Sequence, residues 1–193
     1  MGYKHNIEDV IQRGIELVRT QGYHNVGINQ ILKASGIPKG SFYNFFPSKE
    51  AFIKAALESY GRDYSAWIRE LLHTDDPSPL SRLKSFYRIL IDANEADQYA
   101  GGCLINTVSN EVGRNNDVIS EAADKGFQKL IEAIAECVEL GQQAGEITTT
   151  YTALELAEYL HAGIYGTFPR MKVTRSRTYM DRWYQMTFDF ITK

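Results

Sequence analysis

The chain has 193 residues, of which 44% are hydrophobic and 23% are charged, a balance typical of a globular protein that folds in water. No stretch approaches ~20 uninterrupted apolar residues, so we expect no transmembrane helix. A net charge of −3 argues against a generally basic nucleic-acid binder, and two cysteines do not build a disulfide framework. The N-terminal sequence MGYKHNIEDV lacks the apolar core of a signal peptide, so a cytoplasmic location is expected.

The first residues predict two helices separated by a short loop. Asn6 can cap the first helix, and apolar residues then recur at helical spacing until Gly22, which is expected to end it. A second, short helix is predicted over residues 28–35. Gly36 follows it and turns the chain.

A third short helix follows the turn. Pro38 is expected to begin it, because a missing N–H is harmless at a helix start, and Pro47 is expected to end it. Phe42 and Phe46 lie four residues apart and share its inner face. Ser48 then caps a fourth helix. Two short helices joined by a tight turn predict a helix-turn-helix, whose second helix enters the major groove of DNA.

This region resembles the DNA-binding domain of the TetR family, the tetracycline-repressor-like regulators, and the resemblance covers about a quarter of the chain. It implies an all-α protein of about nine helices. Residues 1–48 would form the helix-turn-helix domain, and residues 49–193 a helical effector-binding and dimerisation domain. The matching residues are Gly22, Tyr23, Ile31, Ala34, Gly36, Ile37, Lys39, Gly40, Ser41, Tyr43, Phe46, Pro47, Lys49, Glu50 and Ala51.

The charge is unevenly distributed along the chain. Residues 1–50 carry six Lys and Arg against four Asp and Glu, a net charge of +2, so the remainder carries −5. A DNA-binding head joined to a separate sensing domain would show this asymmetry, although chance can also produce it.

Groove-facing residues follow from the helix-turn-helix geometry. Lys39 can donate to guanine, Asn44 can pair with adenine, and Tyr43 can reach a thymine methyl or a phosphate. The family often has a histidine or tyrosine where Phe45 stands, and phenylalanine cannot donate that hydrogen bond. Lys49 begins the fourth helix, where it is expected to bind a phosphate. The predicted DNA-binding residues are Asn29, Gln30, Lys39, Gly40, Ser41, Tyr43, Asn44, Phe45 and Lys49.

The rest of the chain reads as further helices separated by clear breaks. The sharpest break is the sequence TDDPSP at residues 74–79, and Gly145 ends the longest of these helices. The predicted spans are residues 48–73, 80–95, 103–112, 117–144, 152–168 and 176–191.

The last two predicted helices are strongly apolar. Core packing would explain this, but the resemblance implies that they pair with their symmetry mates in a four-helix dimer interface, since two reading heads are needed to cover a palindromic operator. The predicted interface residues are Leu160, Ile164, Phe168, Met180, Trp183, Thr187 and Phe190.

The segment 103–110 carries a polar helical face. This face is either exposed to solvent or lines a cavity, in which a few polar groups among apolar walls would bind a small organic effector. The predicted pocket residues are Phe86, Tyr87, Cys103, Asn106, Thr107, Asn110, Phe127 and Tyr165.

Cys103 has two interpretations. The sequence around it looks like a TetR subgroup that responds to quinones, aldehydes or other electrophiles, in which the cysteine is sometimes the sensor. A free cysteine is otherwise a small buried hydrophobe. A thiol enzyme using Cys103 and His161, and a helix-turn-helix that contacts only protein, are the rival functions. The four histidines show no metal-ligand spacing, and no cofactor is expected. We therefore predict a homodimeric repressor released from a palindromic operator by a small organic ligand.

Overall fold

The computed structural model describes residues 6–193, so the expectation about a signal peptide lies partly outside the described residues. The predicted all-α fold is confirmed. Within the described range the helices are α1 (Ile7–Gln21), α2 (Ile28–Ser35), α3 (Lys39–Phe45), α4 (Lys49–Leu72), α5 (Pro79–Ala96), α6 (Leu104–Val112), α7 (Asp117–Gln143), α8 (Ala153–Gly166), α9 (Phe168–Thr174) and α10 (Thr178–Ile191), with a 3-10 turn at Gly113–Asn115.

The short helix α9 was not predicted. The apolar pattern suggested one helix up to Phe168, but α8 ends at Gly166 and a new helix begins two residues later. Pro169 explains the break, because its ring would clash with the carbonyl of the residue four positions earlier in a continuous helix. The same proline is harmless in the first turn of α9. That helix then ends at Arg175, which has a left-handed backbone (φ 48°).

Two compact units contain these helices. The first comprises the chain up to Arg62 together with Gly102–Phe127, and the second comprises Asp63–Gly101 together with Gln128–Lys193. Helices α4 and α7 each contribute residues to both units. The division into a DNA-binding domain (1–48) and an effector domain (49–193) stays a prediction.

A cluster of three phenylalanines forms the centre of the first unit. The rings of Phe42, Phe46 and Phe52 lie 5.1–5.5 Å apart, centroid to centroid, and all three are buried. Gly14 of α1 lies against this cluster, since a Cβ atom there would come within 2.2 Å of the Phe52 ring. The predicted cap at Asn6 is present and accepts a hydrogen bond from the Glu8 N–H. Helix α1 therefore packs against the start of α4, and α3 packs against the same phenylalanine cluster through Phe42.

The second unit is built from the end of α4, α5, the end of α7, and α8–α10. Its core contains Leu83, Phe86, Tyr87 and Ile91 from one face of α5, as their helical spacing predicts. Along the described part of the chain, no helix has both the length and the apolarity needed to cross a bilayer.

Candidate DNA-binding and sensing sites

Helix α3 presents its predicted reading residues on an open surface. Gly36 adopts the left-handed conformation (φ 65°) that a tight turn between α2 and α3 requires, and Ile37 and Phe42 are buried beneath it. With the inner side of α3 fixed, its outer side is left accessible. The exposed residues are Lys39, Gly40, Tyr43, Asn44 and Phe45, and Ser41 is half-buried.

The electrostatics of this surface favour a polyanion. The sequence contains no Asp or Glu between Ile28 and Ser48, but it contains Lys33 and Lys39. The ammonium of Lys39 lies 5.9 Å from the ring centre of Tyr43, on the exposed side of α3. Phosphate groups approaching this face would therefore meet positive charge without an opposing carboxylate from α2 or α3.

The predicted contacts on α2 differ in what they do. Asn29 is exposed. The side chain of Gln30 closes the start of its own helix, because its Oε1 atom accepts a hydrogen bond from the Gly27 N–H at 2.7 Å. Gln30 thus has a capping role that the sequence interpretation missed, and a DNA contact by its amide group stays a prediction.

Lys49 also has a role within the protein. Its ammonium donates to the carbonyl oxygen of Tyr23 and lies 3.9 Å from the centre of the Tyr23 ring. Burial lowers the pKa of Lys49, and the charge of Glu111 opposes that effect. The side chain therefore fixes the loop between α1 and α2, and its predicted phosphate contact would have to use the remaining N–H groups.

Helix α6 is hydrogen-bonded at both ends to the α1 region. Near its start, the Nε atom of Arg19 donates to the carbonyl of Gly102 at 2.7 Å. Near its end, the Glu111 carboxylate accepts from the backbone N–H groups of Tyr23 (3.1 Å) and His24 (2.8 Å). We call these contacts the α6 clamp. The residues it joins are more than 80 positions apart in sequence, and no local pattern indicates the pairing.

Gly22 makes the clamp possible. It ends α1 with φ 87°, a conformation that favours glycine, and a Cβ atom on it would lie 2.4 Å from a Glu111 carboxylate oxygen. The predicted stop at Gly22 is confirmed, and the structure adds a second reason for glycine at this position.

The four residues of the polar face predicted on α6 differ in their burial. Cys103 is buried at the N-cap position, and Asn106 and Thr107 are half-buried. The amide nitrogen of Asn106 is buried without a hydrogen-bond partner. Asn110 is exposed, which favours the solvent-facing alternative at this position, and its place in the pocket stays a prediction.

A small cavity lies inside the second unit and includes three of the predicted pocket residues: Phe86, Tyr87 and Tyr165. Its volume is about 10 Å³, which is room for one water molecule at most. Phe127 and the α6 residues belong to the first unit. The predicted single pocket containing all eight residues therefore stays a prediction.

The predicted dimer surface needs correction. Leu160, Ile164, Met180 and Thr187 are each at most 1% exposed in the isolated chain, so they have almost no surface to offer a partner. Trp183 packs inside the protomer too. A Cβ atom on Gly163 would lie 2.1 Å from its indole nitrogen, and its ring lies 5.1 Å from that of Tyr87. The apolar stripes of α8 and α10 thus pack against their own unit. Phe168 is half-buried and Phe190 is exposed, so their predicted places in the interface stay predictions.

The opposite side of α8 and α10 carries a different apolar surface. Phe190 lies near Tyr151 and Tyr159, with ring centres 6.2 and 5.8 Å away. We call this surface the α8–α10 patch. Its members, each 45–66% exposed, are Tyr151, Leu154, Tyr159, Met186 and Phe190.

Two comparisons of sequence motifs agree with this architecture. Residues 10–56 match the family described as "Bacterial regulatory proteins, tetR family". Residues 79–187 match the family described as "Tetracyclin repressor-like, C-terminal domain". No group of three or more His, Cys, Asp or Glu residues in the described part of the chain could hold a metal ion.

Relatives that are described as transcriptional repressors are similar to this chain over most of their length. The chain is 29% identical to the HTH-type transcriptional repressor DhaR of Mycobacterium sp. (strain GP1), covering 94% of this chain and 90% of DhaR. It is 30% identical to the HTH-type transcriptional repressor NemR of Escherichia coli (strain K12), covering 88% and 85%. The crystal structure of regulatory protein TetR from Rhodobacter sphaeroides superimposes with a TM-score of 0.87 at 26% identity, covering 95% and 97%. An exposed recognition helix, two matching domains and these relatives show that the chain belongs to the TetR family and is a DNA-binding transcriptional regulator.

Proposed function

We propose that the protein is a homodimeric repressor that binds a palindromic operator in the bacterial cytoplasm and is released by a small organic ligand. The observation that carries this proposal is the exposed, acid-free face of α3, linked through the α6 clamp to the segment that contains Cys103. The relatives DhaR and NemR are both described as transcriptional repressors.

Base reading is assigned to the exposed side of α3. Asn44 would form a paired hydrogen bond with adenine, and Lys39 would donate to guanine. Tyr43 and Phe45 provide aromatic surface for a thymine methyl or a sugar. Phe45 is 44% exposed, and a large apolar side chain kept in water on a reading face suggests that DNA covers it.

Dimerisation is assigned to the α8–α10 patch. A palindrome presents two half-sites related by a twofold axis, so a regulator that reads it needs two heads related in the same way. A second copy of the chain, rotated about a twofold axis, would place the aromatic group around Phe190 against its own symmetry mate. This would remove from water the side chains that the isolated protomer leaves exposed.

Release from DNA requires that the ligand bind the non-binding conformation more tightly than the DNA-binding one. The α6 clamp offers a route for this coupling. A displacement at the start of α6 would change the Arg19–Gly102 bond, and one at its end would change the support of the Tyr23–His24 backbone. That backbone leads directly into α2, so the orientation of the helix-turn-helix depends on α6.

A covalent version of the same response is the second candidate. Cys103 is 2% exposed and adjoins Gly102, whose carbonyl receives the Arg19 hydrogen bond. Addition of the Cys103 thiol across a C=C or C=O double bond would form an S–C bond as the π bond breaks, and the thiol proton would pass to the other atom of that bond. The adduct would add atoms where little space exists, so α6 would have to move. The crystal structure of Escherichia coli NemR, with a TM-score of 0.83 and 28% identity, is described as the reduced form.

The experiment begins with selection of bound DNA from a random pool, followed by titration of the selected operator. Asn44→Ala should weaken binding by ~1–3 kcal/mol and relax the preference at one base pair. An unchanged specificity profile would remove Asn44 from the reading set. Ligand release is then tested with wild type and Cys103→Ser. Loss of the response to an electrophile in Cys103→Ser would support the covalent version, and an unchanged response would leave only reversible binding.

A further inference from the structure

The cavity of the second unit is uncharged and is lined by aromatic and aliphatic side chains in equal number. Four helices contribute to its wall, and none of the lining residues is Asp, Glu, Lys or Arg. A charged molecule would lose its hydration there without finding a counter-ion. The lining residues are Tyr64, Ile68, Phe86, Tyr87, Leu90, Leu130, Ile134, His161, Ile164 and Tyr165.

One polar atom of this wall lacks a partner. Tyr87 is 1% exposed, and its hydroxyl is buried without a hydrogen-bond partner. Burial raises the pKa of Tyr87 well above its ordinary value, so the hydroxyl keeps its proton and can donate it in a hydrogen bond. Buried hydroxyl groups are paired in the large majority of proteins, and an exception calls for an explanation. A ligand atom that accepts a hydrogen bond would supply the missing partner.

The imidazole of His161 also lines the cavity and carries no charge there. Burial lowers the pKa of His161 to about 4, so the imidazole is neutral at physiological pH. Its ring lies 4.7 Å from the ring of Tyr165, centroid to centroid. The cavity therefore offers aromatic surfaces, a neutral imidazole and a hydroxyl donor, but no formal charge.

We propose that this cavity binds a small, neutral aromatic compound whose single hydrogen-bond-accepting oxygen takes the hydrogen bond of the Tyr87 hydroxyl. This inference rests on the proposed function, because it names the chemical class of the effector. Tyr87 would select ligands that carry such an oxygen over hydrocarbons of the same shape, since a hydrocarbon leaves the hydroxyl unpaired.

Binding must enlarge the cavity, because a volume of about 10 Å³ does not hold an aromatic ring. Tyr64 and Tyr165 are half-buried, whereas Phe86 and Tyr87 are buried, so the side of the wall formed by Tyr64 and Tyr165 is the one nearer to solvent. A ligand that is bound only by the enlarged form favours that form. Because the cavity is closed in the free protein, a ligand can bind there only if the protein changes conformation.

The test uses the full-length protein and two probes of nearly equal shape. Acetophenone carries a carbonyl oxygen, and α-methylstyrene carries a CH₂ group in its place. Both probes are tested in the absence of DNA. Binding is measured by calorimetry with wild type, with Tyr87→Phe, and with Tyr184→Phe as the matched control. Tyr184 is a half-buried tyrosine that does not line the cavity.

Tyr87→Phe should lower the affinity for acetophenone roughly fivefold and change that for α-methylstyrene by less than about twofold. Tyr184→Phe should change neither. Equal losses for both probes, no loss for either, or no binding of acetophenone to wild type would overturn the inference. Thermal unfolding of Tyr87→Phe would show whether the variant is folded.

The outcomes distinguish a failure of the cavity assignment from a failure of the proposed function. A Tyr87-dependent preference for acetophenone in a protein that is not released from DNA would contradict ligand-controlled repression but not the assigned cavity chemistry. Release of DNA by a ligand whose affinity is unaffected by Tyr87→Phe would support repression and contradict the cavity assignment.

Discussion

Replacement of Glu111 by alanine should loosen the loop that precedes the helix-turn-helix. The carboxylate accepts hydrogen bonds from the N–H groups of Tyr23 and His24, at 3.1 and 2.8 Å. A hydrogen bond to a charged group contributes ~1.5–3 kcal/mol when well buried, and less when solvent can replace it. Because one of these contacts is partly buried and the other is exposed, we expect Glu111→Ala to destabilise the native conformation of the loop by about 2 kcal/mol in total.

Amide hydrogen exchange measures this loop directly. A loss of about 2 kcal/mol corresponds to an acceleration of exchange of roughly thirtyfold at Tyr23 and His24. Glu111→Gln retains one acceptor oxygen and should show a smaller acceleration. Glu121→Gln is the control, because Glu121 is an exposed acid on α7 that pairs with Lys125. It should leave exchange at the loop unchanged.

The functional consequence follows from position. The loop leads into α2, so Glu111→Ala should also weaken operator binding although Glu111 is not on the reading face. Unaltered exchange at both amides would refute the clamp as a support of the loop. Accelerated exchange with unaltered operator affinity would show that the clamp exists but does not position the helix-turn-helix.

Two further predictions concern the second unit. His161 has a pKa lowered by burial to about 4 from 6.5, so between these values the unfolded chain binds a proton that the folded protein does not. The contribution of His161 to the free energy of unfolding should therefore decrease by about 3 kcal/mol as the pH falls from 6.5 to 4. In thermal unfolding, His161→Gln should remove this part of the pH dependence. His73→Gln, at an exposed site, should leave this part unchanged. Phe190→Asp should convert the dimer to folded monomers in analytical ultracentrifugation, because it places a charge in the centre of the α8–α10 patch. If the variant remains a dimer, the interface lies elsewhere. Gln185→Asp is the control, because Gln185 is a polar, exposed residue of α10.

The helices were largely predictable because their ends carry local chemical information. Asn6, Gly22 and Gly36 have roles that depend on a few neighbouring residues, and the structure confirms all three. The short helix α9 was missed although Pro169 was visible. The apolar pattern before that proline predicted one helix up to Phe168, but the proline ends the helix earlier.

The candidate sites were less predictable because they depend on which side of a helix faces the core. The dimer residues were chosen from the most apolar stripes of α8 and α10, but those stripes pack within the protomer, as Leu160 and Met180 show. Among the seven predicted interface residues, Phe190 is the one that is left exposed. The α6 clamp and the unpaired Tyr87 hydroxyl arise from residues distant in sequence, and only the folded chain brings them into view.

Titration of the selected operator at several salt concentrations tests the central claim most directly. The account predicts that the dimer binds this palindrome much more tightly than a scrambled sequence, and that the affinity falls steeply as salt rises. It also predicts that a single half-site binds more weakly than the complete palindrome. Salt-independent or absent binding to every DNA tested, including the promoter beside its own gene, would contradict the claim and favour a helix-turn-helix that contacts only protein.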